Sequence, residues 1–321
     1  MKASVLVPTK NGDKLWAEVL DAVLQQSAPW PFEVLVVDSG STDDTVAATL
    51  SKGVRCEQIP PEQFGHGRTR NQLAAMAQGE FLVFITQDAK PAGASWLAEL
   101  VAACESGPEV AASFGPHIAY PQARTITQLE LSAHFAGFGA SVNTVRLEDP
   151  ARYATDVGYK QFLHFFSSNN ACIRRTVWAQ IPLPEVVFAE DQTWAKQAIE
   201  AGFAKAFAPH AAVYHSHDFG VVETLRRNFD ESRCFATYFG YRLQPSLPGV
   251  FRNAAALSLR DAHWLRNHGL TGVRWLAESG YMCLIEAARM IGQYLGTHHQ
   301  RLGAVLSAVV SRDESLKRKR A

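Results

Sequence analysis

Cysteine is scarce in this chain. Five cysteines in 321 residues, at 56, 104, 172, 234 and 283, are odd in number and far apart, with no C-x-x-C pair and no Cys/His metal spacing. That excludes a disulfide framework and a zinc site, and it fits a reducing cytoplasm. Long hydrophobic runs are missing too. The longest strictly aliphatic or aromatic run is Phe81–Ile85, whereas a spanning helix needs roughly 18–20 apolar residues. The chain is therefore not expected to be an integral membrane protein. The start, Met1–Val5, enters a strand-like segment with no separate apolar stretch and cleavage site, so no signal peptide is expected. No G-x-x-x-x-G-K-[ST] occurs, and no G-x-G-x-x-G follows the first strand; P-loop and NAD-type readings lose their support. Net charge is absent as well, with 31 Lys+Arg against 31 Asp+Glu.

What is there is apolar bulk: 47% hydrophobic residues, enough for one large or two modest cores. The zero net charge hides an asymmetry. Residues 251–321 hold 11 basic against 5 acidic side chains, leaving the first 250 with 20 against 26. The basic end, closing on Lys317-Arg318-Lys319-Arg320, suits either an anionic surface or a solvated tail. Nucleic-acid binding is not expected, because the rest of the chain is acidic.

Strand and helix signals alternate over the first hundred residues. Ser4–Pro8, Glu33–Asp38, Val54–Ile59 and Phe81–Thr86 read as strands. Lys14–Gln26, Thr45–Lys52, Arg70–Gln78 (with Gly79 as its C-terminal stop) and 95–105 read as helices. Such alternation predicts an α/β fold with a mostly parallel central sheet flanked by helices. Ala111–Phe114 and Phe165–Ser168 read as further strands, Glu190–Gly202 as a helix, and the chain from Val222 as all-helical. The expected organisation is a catalytic domain over 1–220 and a helical extension over 221–321. Within that extension Tyr281, Leu284, Ile285, Ala288, Ile291 and Leu295 recur at helical spacing, which predicts core or dimer packing.

In parallel sheets ligands collect beyond the carboxyl ends of strands. Pro8-Thr9, Asp38 and Gln87-Asp88 stand there. Asp88 suits a divalent cation carrying a diphosphate, or a simple turn. Asp38, before Ser39-Gly40-Ser41-Thr42, suits the ring N–H of a uracil or thymine. Phe64–Asn71 places two glycines and two arginines where a helix opens, a pattern open to phosphate or base. Glu190-Asp191 at a helix start is either dipole complementation or a general base. His215-x-His217 puts two imidazoles on one face of an extended segment, where either one fits a metal or a phosphate. Ser168-Asn169-Asn170 presents amides to a hydroxyl-rich substrate or caps a turn.

Taken in order, Val5–Asn11, Val36–Asp43, Arg70-Asn71, Thr86–Ala89 and Ala189–Gln192 resemble the family 2 inverting glycosyltransferases of the GT-A fold over about residues 3–220. His66–Asn71, the TQDA at 86–89, the AEDQ at 189–192 and the HSH at 215–217 are most similar to the bacterial rhamnosyltransferase branch. That resemblance implies a nucleotide-sugar donor, dTDP-β-L-rhamnose being favoured, and a Mg²⁺ or Mn²⁺ cofactor. It implies donor binding by Pro8, Thr9, Asn11, Asp38, Ser39, Arg70, Asn71, Gln87 and Asp88, and metal binding by Asp88 with His217. Asp191 would be the base, with Glu190 beside it, and Asn169, Asn170 and His215 would face the acceptor. Arg68 stands where the family pattern has a second glycine. Only one aspartate stands at the Asp-x-Asp position, so either His217 completes the metal site or metal dependence is reduced. The acceptor implied is a growing, lipid-linked or oligosaccharide chain such as O-antigen, at the inner face of the cytoplasmic membrane, with peripheral membrane contact and a homodimer as open partners. The rival readings are a UDP-sugar-dependent transferase of the same fold and a catalytically inert nucleotide- or carbohydrate-binding protein.

Overall fold

The apolar runs become the middle of one sheet. The computed structural model describes residues 1–312 and 315. Its strands are β1 (Ala3–Thr9), β2 (Phe32–Asp38), β3 (Arg55–Gln58), β4 (Phe81–Ile85), β5 (Lys90–Pro91), β6 (Val110–Phe114), β7 (His117–Ile118), β8 (Asn143–Val145), β9 (Asn170–Arg174), β10 (Ala204–Phe207) and β11 (Val213–Tyr214). Eight of them form a sheet in the order β3-β2-β1-β4-β9-β6-β10-β8. Only β9 and β8 run against their neighbours. The helices are α1 (Asp13–Leu24), α2 (Thr45–Ser51), α3 (His66–Met76), α4 (Trp96–Cys104), α5 (Thr125–Ala136), α6 (Pro150–Thr155), α7 (Val157–His164), α8 (Arg175–Trp178), α9 (Glu190–Glu200), α10 (Val221–Cys234), α11 (Leu247–Asn267), α12 (Gly272–Thr297) and α13 (Ala304–Val310).

A strand covered on both faces must be apolar at every position, and the two-residue side-chain period sorts those positions. Along β4, Val83 and Ile85 join one layer with Trp16, Leu20, Trp96 and Leu100 of α1 and α4. Leu82 and Phe84 join the other, with Leu73 of α3 and Trp194 of α9. Each large side chain buried this way contributes about 1.5–3 kcal/mol. Pro8 is tolerated in the central β1 because β4 pairs only with Ala3–Leu6, so its missing N–H breaks no ladder on that side.

Two sequence expectations change. Phe165–Ser168 is not a strand; the strand starts at Asn170 and runs antiparallel between β4 and β6. The phenylalanines at 165 and 166 instead pack from a loop onto Phe114, at ring distances of 5.6 and 6.0 Å. Helix α3 begins at His66, four residues before the expected Arg70. Gly67 marks close packing there, not a turn: a Cβ at this position would sit 2.2 Å from the Pro184 carbonyl oxygen.

The chain divides into two contact-dense units, Met1–Gln122 with Glu130–Ser216, and Ala123–Leu129 with the residues from His217 onward. The division falls at 216/217 instead of 220. Residues 123–129 go with the second unit because Asp218 accepts from the Arg124 N–H (3.0 Å) and the Thr127 hydroxyl (2.7 Å). In that unit α12 packs along α10, where Gly292 and Gly296 let the backbones approach; a Cβ at either would lie 2.3 Å from a carbonyl of α10. Ile126, Leu265, Met282 and Ile285 form one of its buried apolar clusters. The expected stripe over 281–295 is only partly inside: Glu286 is fully buried, while Leu284 and Ile291 face solvent. The Lys317–Arg320 run lies outside the described residues. No helix among the described residues is long and apolar enough to cross a membrane.

Candidate active site

Register brings the strand-end residues to one edge of the first unit. Thr9 pairs with Asp38 across β1 and β2. The Thr9 hydroxyl donates to Asp38 Oδ2 at 2.9 Å, and Ser39 N–H donates to the Thr9 carbonyl at 2.9 Å. Asp38 is fully buried. Its carboxylate also accepts the N–H groups of Gly40 (3.0 Å) and Ser41 (2.8 Å) and the Ser41 hydroxyl (2.5 Å). The Asp38 carboxylate, expected to face a base N–H, thus meets four donors of its own chain and shapes the loop.

The loop after β1 is clamped on both sides. Gln87 accepts from Lys10 N–H (2.7 Å) and donates to the Lys10 carbonyl (2.9 Å), which ties the end of β4 to the end of β1. Asn11, in the left-handed region at φ 49°, accepts from Thr42 N–H at 2.8 Å. Pro8, Thr9, Asn11, Asp38, Ser39 and Gln87 therefore gather at one edge, at the carboxyl ends of β1, β2 and β4.

Asp88 lies beside it. A three-stranded sheet of β5, β11 and β7 stitches together the loops that follow β4, β6 and β10. Two-residue strands leave no pattern in the sequence, so this element was not foreseen. It sets His215 Nε2 3.6 Å from Asp88 Oδ1. Behind His215, with ring centroids 5.0 Å apart, sits buried His117. Burial first, then His215 and His134, push His117 well below its ordinary pKa and keep it neutral. His217 comes one residue beyond Ser216, and covalent geometry keeps its Cα within about 7 Å of that of His215.

The carboxylates at the start of α9 reach the same edge. Asn170 pairs with Ile85 at the carboxyl end of β4, so Ser168 stands just past that end. Asp191 Oδ2 accepts the Ser168 N–H at 2.9 Å and lies 3.3 Å from its hydroxyl, while Oδ1 accepts the Gln192 N–H at 2.8 Å. The Ser168 hydroxyl also reaches Glu190 Oε1 at 3.1 Å. Ser168, expected only to present the turn before β9 to a substrate or to cap it, thus holds both acids. Ala189 before them is left-handed at φ 57° and ψ 43°, a strained state for a residue with a Cβ.

Glu190 is buried and pairs with the equally buried Arg70 at 3.0 Å. Burial works against its charge, but Arg70 and then His66 outweigh it and hold Glu190 below the ordinary glutamate value. Asp191 goes the other way: burial, then the charge of Glu190, push it up to about 7. One acid is kept ionised and its neighbour is poised near neutrality, the separation expected of a tuned acid/base site.

Three expected ligands are used internally. Asn71 accepts from Trp178 Nε1 (2.9 Å) and Leu183 N–H (3.0 Å) and donates to the Leu183 carbonyl (2.7 Å). Asn170 accepts from Trp96 Nε1 (2.8 Å) and donates to Ala211 O (2.7 Å). Arg70 is committed to Glu190. Asn169 is half-buried in the turn before β9. Arg68, exposed, makes a two-nitrogen contact with Glu185 Oε2 at 3.0 and 2.8 Å.

Residues 4–181 match the profile of glycosyl transferase family 2. The chain belongs to glycosyl transferase family 2. Among its relatives is the O-antigen chain rhamnosyltransferase RfbN of Salmonella typhimurium (strain LT2), 33% identical over 72% of this chain and 71% of that protein. The O-antigen chain rhamnosyltransferase WbaN of Salmonella anatum is 32% identical over 71% and 70%. The fold is shared with the mannosyltransferase PcManGT of Pyrobaculum calidifontis, solved with GDP-Man and Mn²⁺, at a TM-score of 0.60 and 18% identity over 94% of this chain and 88% of that one. It is shared also with S. aureus TarS residues 1–349 in complex with UDP-GlcNAc, at a TM-score of 0.54 and 20% identity over 94% and 92%. As a family 2 member the chain is a glycosyltransferase, and the GT-A-like α/β architecture expected from its sequence is the one it has.

Proposed function

We propose that this glycosyltransferase moves an L-rhamnosyl group from dTDP-β-L-rhamnose, with inversion, to a hydroxyl of a lipid-linked saccharide of the O-antigen kind. The observation that carries the reading is Asp191, a carboxylate held by Ser168 at the sheet edge that also bears the nucleotide-side loops. The relatives named rhamnosyltransferases support the choice of sugar.

In this mechanism the strand-end loops that carry Thr9 and Ser39, shaped by Asp38, receive the nucleoside. Asp191 takes the proton of the acceptor hydroxyl as its oxygen bonds to the anomeric carbon. The bond from that carbon to the diphosphate breaks on the opposite face, which inverts the configuration. General-base assistance of this kind is worth about 10²–10⁴ in rate. Glu190 stays ionised through Arg70 and keeps Asp191 basic enough to act near neutral pH. Asp88 and His215, a carboxylate and an imidazole 3.6 Å apart and partly open to solvent, are a donor set that suits Mn²⁺ or Mg²⁺, with His217 within reach. A cation held by Asp88 and His215 would supply positive charge to the leaving diphosphate. The donor is tested by thermal shift with dTDP-, UDP- and GDP-sugars, with and without Mn²⁺. Stabilisation by dTDP-rhamnose above the others is expected; a preference for a UDP-sugar refutes the rhamnosyl assignment.

A further inference from the structure

The small sheet that carries the candidate cation ligands is held by few bonds of its own. Each of β5, β7 and β11 is two residues long, shorter than the roughly three to ten usual for a strand. The middle strand, β11, meets each neighbour over two register pairs. Asp88 stands just before β5 and His215 directly after β11. The 3.6 Å between their side chains would therefore depend on very short ladders if nothing else tied the strands together.

Tyr120, just beyond β7, is such a tie, and it belongs to none of the motifs that mark the family in this chain. Its N–H donates to the hydroxyl oxygen of Ser216, the neighbour of His215, at 3.0 Å. Its ring stacks on that of Tyr214 in β11, with centroids 5.8 Å apart and planes 28° from parallel. Its hydroxyl donates to the main-chain carbonyl of Asp88 at 3.2 Å. In the order β5-β11-β7, this one residue spans from the third strand across the middle one to the segment that enters the first. It takes the carbonyl of Asp88 and leaves the carboxylate facing His215. We propose that Tyr120 is a positioning residue for the divalent cation, holding Asp88 and His215 at the separation from which both bind one ion. The inference rests on the reading of that pair as cation ligands, and it adds the group that fixes their spacing. Functional groups must be held within about 0.5 Å of their working geometry, and loss of an outer partner typically weakens metal binding about 10–100-fold.

Mn²⁺ titrated into the full chain, alone and with dTDP, and followed by the paramagnetic resonance of the free ion, tests it. Tyr120→Phe keeps the ring on Tyr214 and removes only the hydroxyl, and its dissociation constant for Mn²⁺ should rise about tenfold. Ser216→Ala, at the other end of the tie, should weaken Mn²⁺ in the same direction. Without metal both variants should bind dTDP like the parent, since the loops after β1 and β2 are untouched. Asp88→Ala separates the two layers of the argument. If it loses Mn²⁺ while Tyr120→Phe binds the ion as tightly as the parent, the role of Tyr120 is overturned and the cation site stands. If the parent takes up no Mn²⁺, or keeps its affinity in Asp88→Ala, the cation reading falls and the proposal with it. A Tyr120→Phe chain with a lowered thermal midpoint but the parent's Mn²⁺ affinity would show a purely structural brace, which also overturns the proposal.

Discussion

Replacing Glu190 with glutamine isolates what its charge does to its neighbour. The amide keeps the shape and an oxygen for the Ser168 hydroxyl, now 3.1 Å away, while one negative charge beside Asp191 disappears. Arg70, which faces Glu190 at 3.0 Å, then acts on Asp191 without that counterweight. Both changes favour the ionised aspartate. Asp191 stands at about 7 against an ordinary 3.8, with burial the first cause and Glu190 the second. A charge this close shifts a neighbour by about 1–3 pH units, and Glu190, as the second cause behind burial, takes about 1–2 of them, so the variant should bring Asp191 down to about 5–6. A general base must be ionised, so kcat/KM of the parent falls as pH drops below about 7. At pH 6 about a tenth of parent molecules hold Asp191 ionised, against about nine-tenths with the group at 5. The acid limb of the profile, measured from pH 5 to 9, should therefore shift down by one to two units. The plateau above it should fall, because a weaker base is a poorer one. A variant whose acid limb stays at the parent position refutes the assignment of Glu190 as the group that tunes the base.

Other consequences follow from the same contacts. Arg70→Gln leaves Glu190 buried without its cation, which should cost about 3–5 kcal/mol in denaturant unfolding; a loss under 1 kcal/mol would mean that the pair is not held as described. Asp88→Ala should weaken donor binding in the presence of Mn²⁺ and not in its absence, whereas equal calorimetric affinities in the two conditions would remove Asp88 from the cation. Because Asp191 holds its proton more tightly folded than unfolded, its contribution to stability is complete below pH 4 and is lost as pH rises from about 4 to 7. The thermal midpoint of Asp191→Asn should accordingly gain on the parent across that interval, and a constant difference in midpoint would contradict the raised pKa.

How much could be read from the sequence depends on where each residue's constraint comes from. The apolar runs in β1, β2 and β4 are dictated by burial on two faces, a local pattern, and they were legible together with the polar groups that end them. Burial alone did not separate β9 from Phe165–Ser168, because aromatic residues in a loop fill the core as well as a strand does. Asn71 and Asn170 resemble ligands in sequence, yet both are consumed by backbone groups more than forty residues away. The hold of Ser168 on the two acids and the β5-β11-β7 sheet were invisible because they exist only across long sequence separations. Leu284 leaves the expected stripe for solvent, while Glu286 is buried beside Arg289, 3.1 Å away, a pairing that apolar spacing does not reveal. The two glycines of Phe64–Asn71 read as room for a phosphate or base to approach the backbone, and at Gly67 the close approach is to Pro184, in the segment that leads to the acids.

The central claim is that Asp191 takes the acceptor's proton. Purified Asp191→Asn, assayed for transfer from dTDP-rhamnose and, in the same preparation, for donor affinity by calorimetry, tests it most directly. The account predicts transfer reduced about 10²–10⁴-fold with donor affinity within a few-fold of the parent; turnover near that of the parent would contradict it.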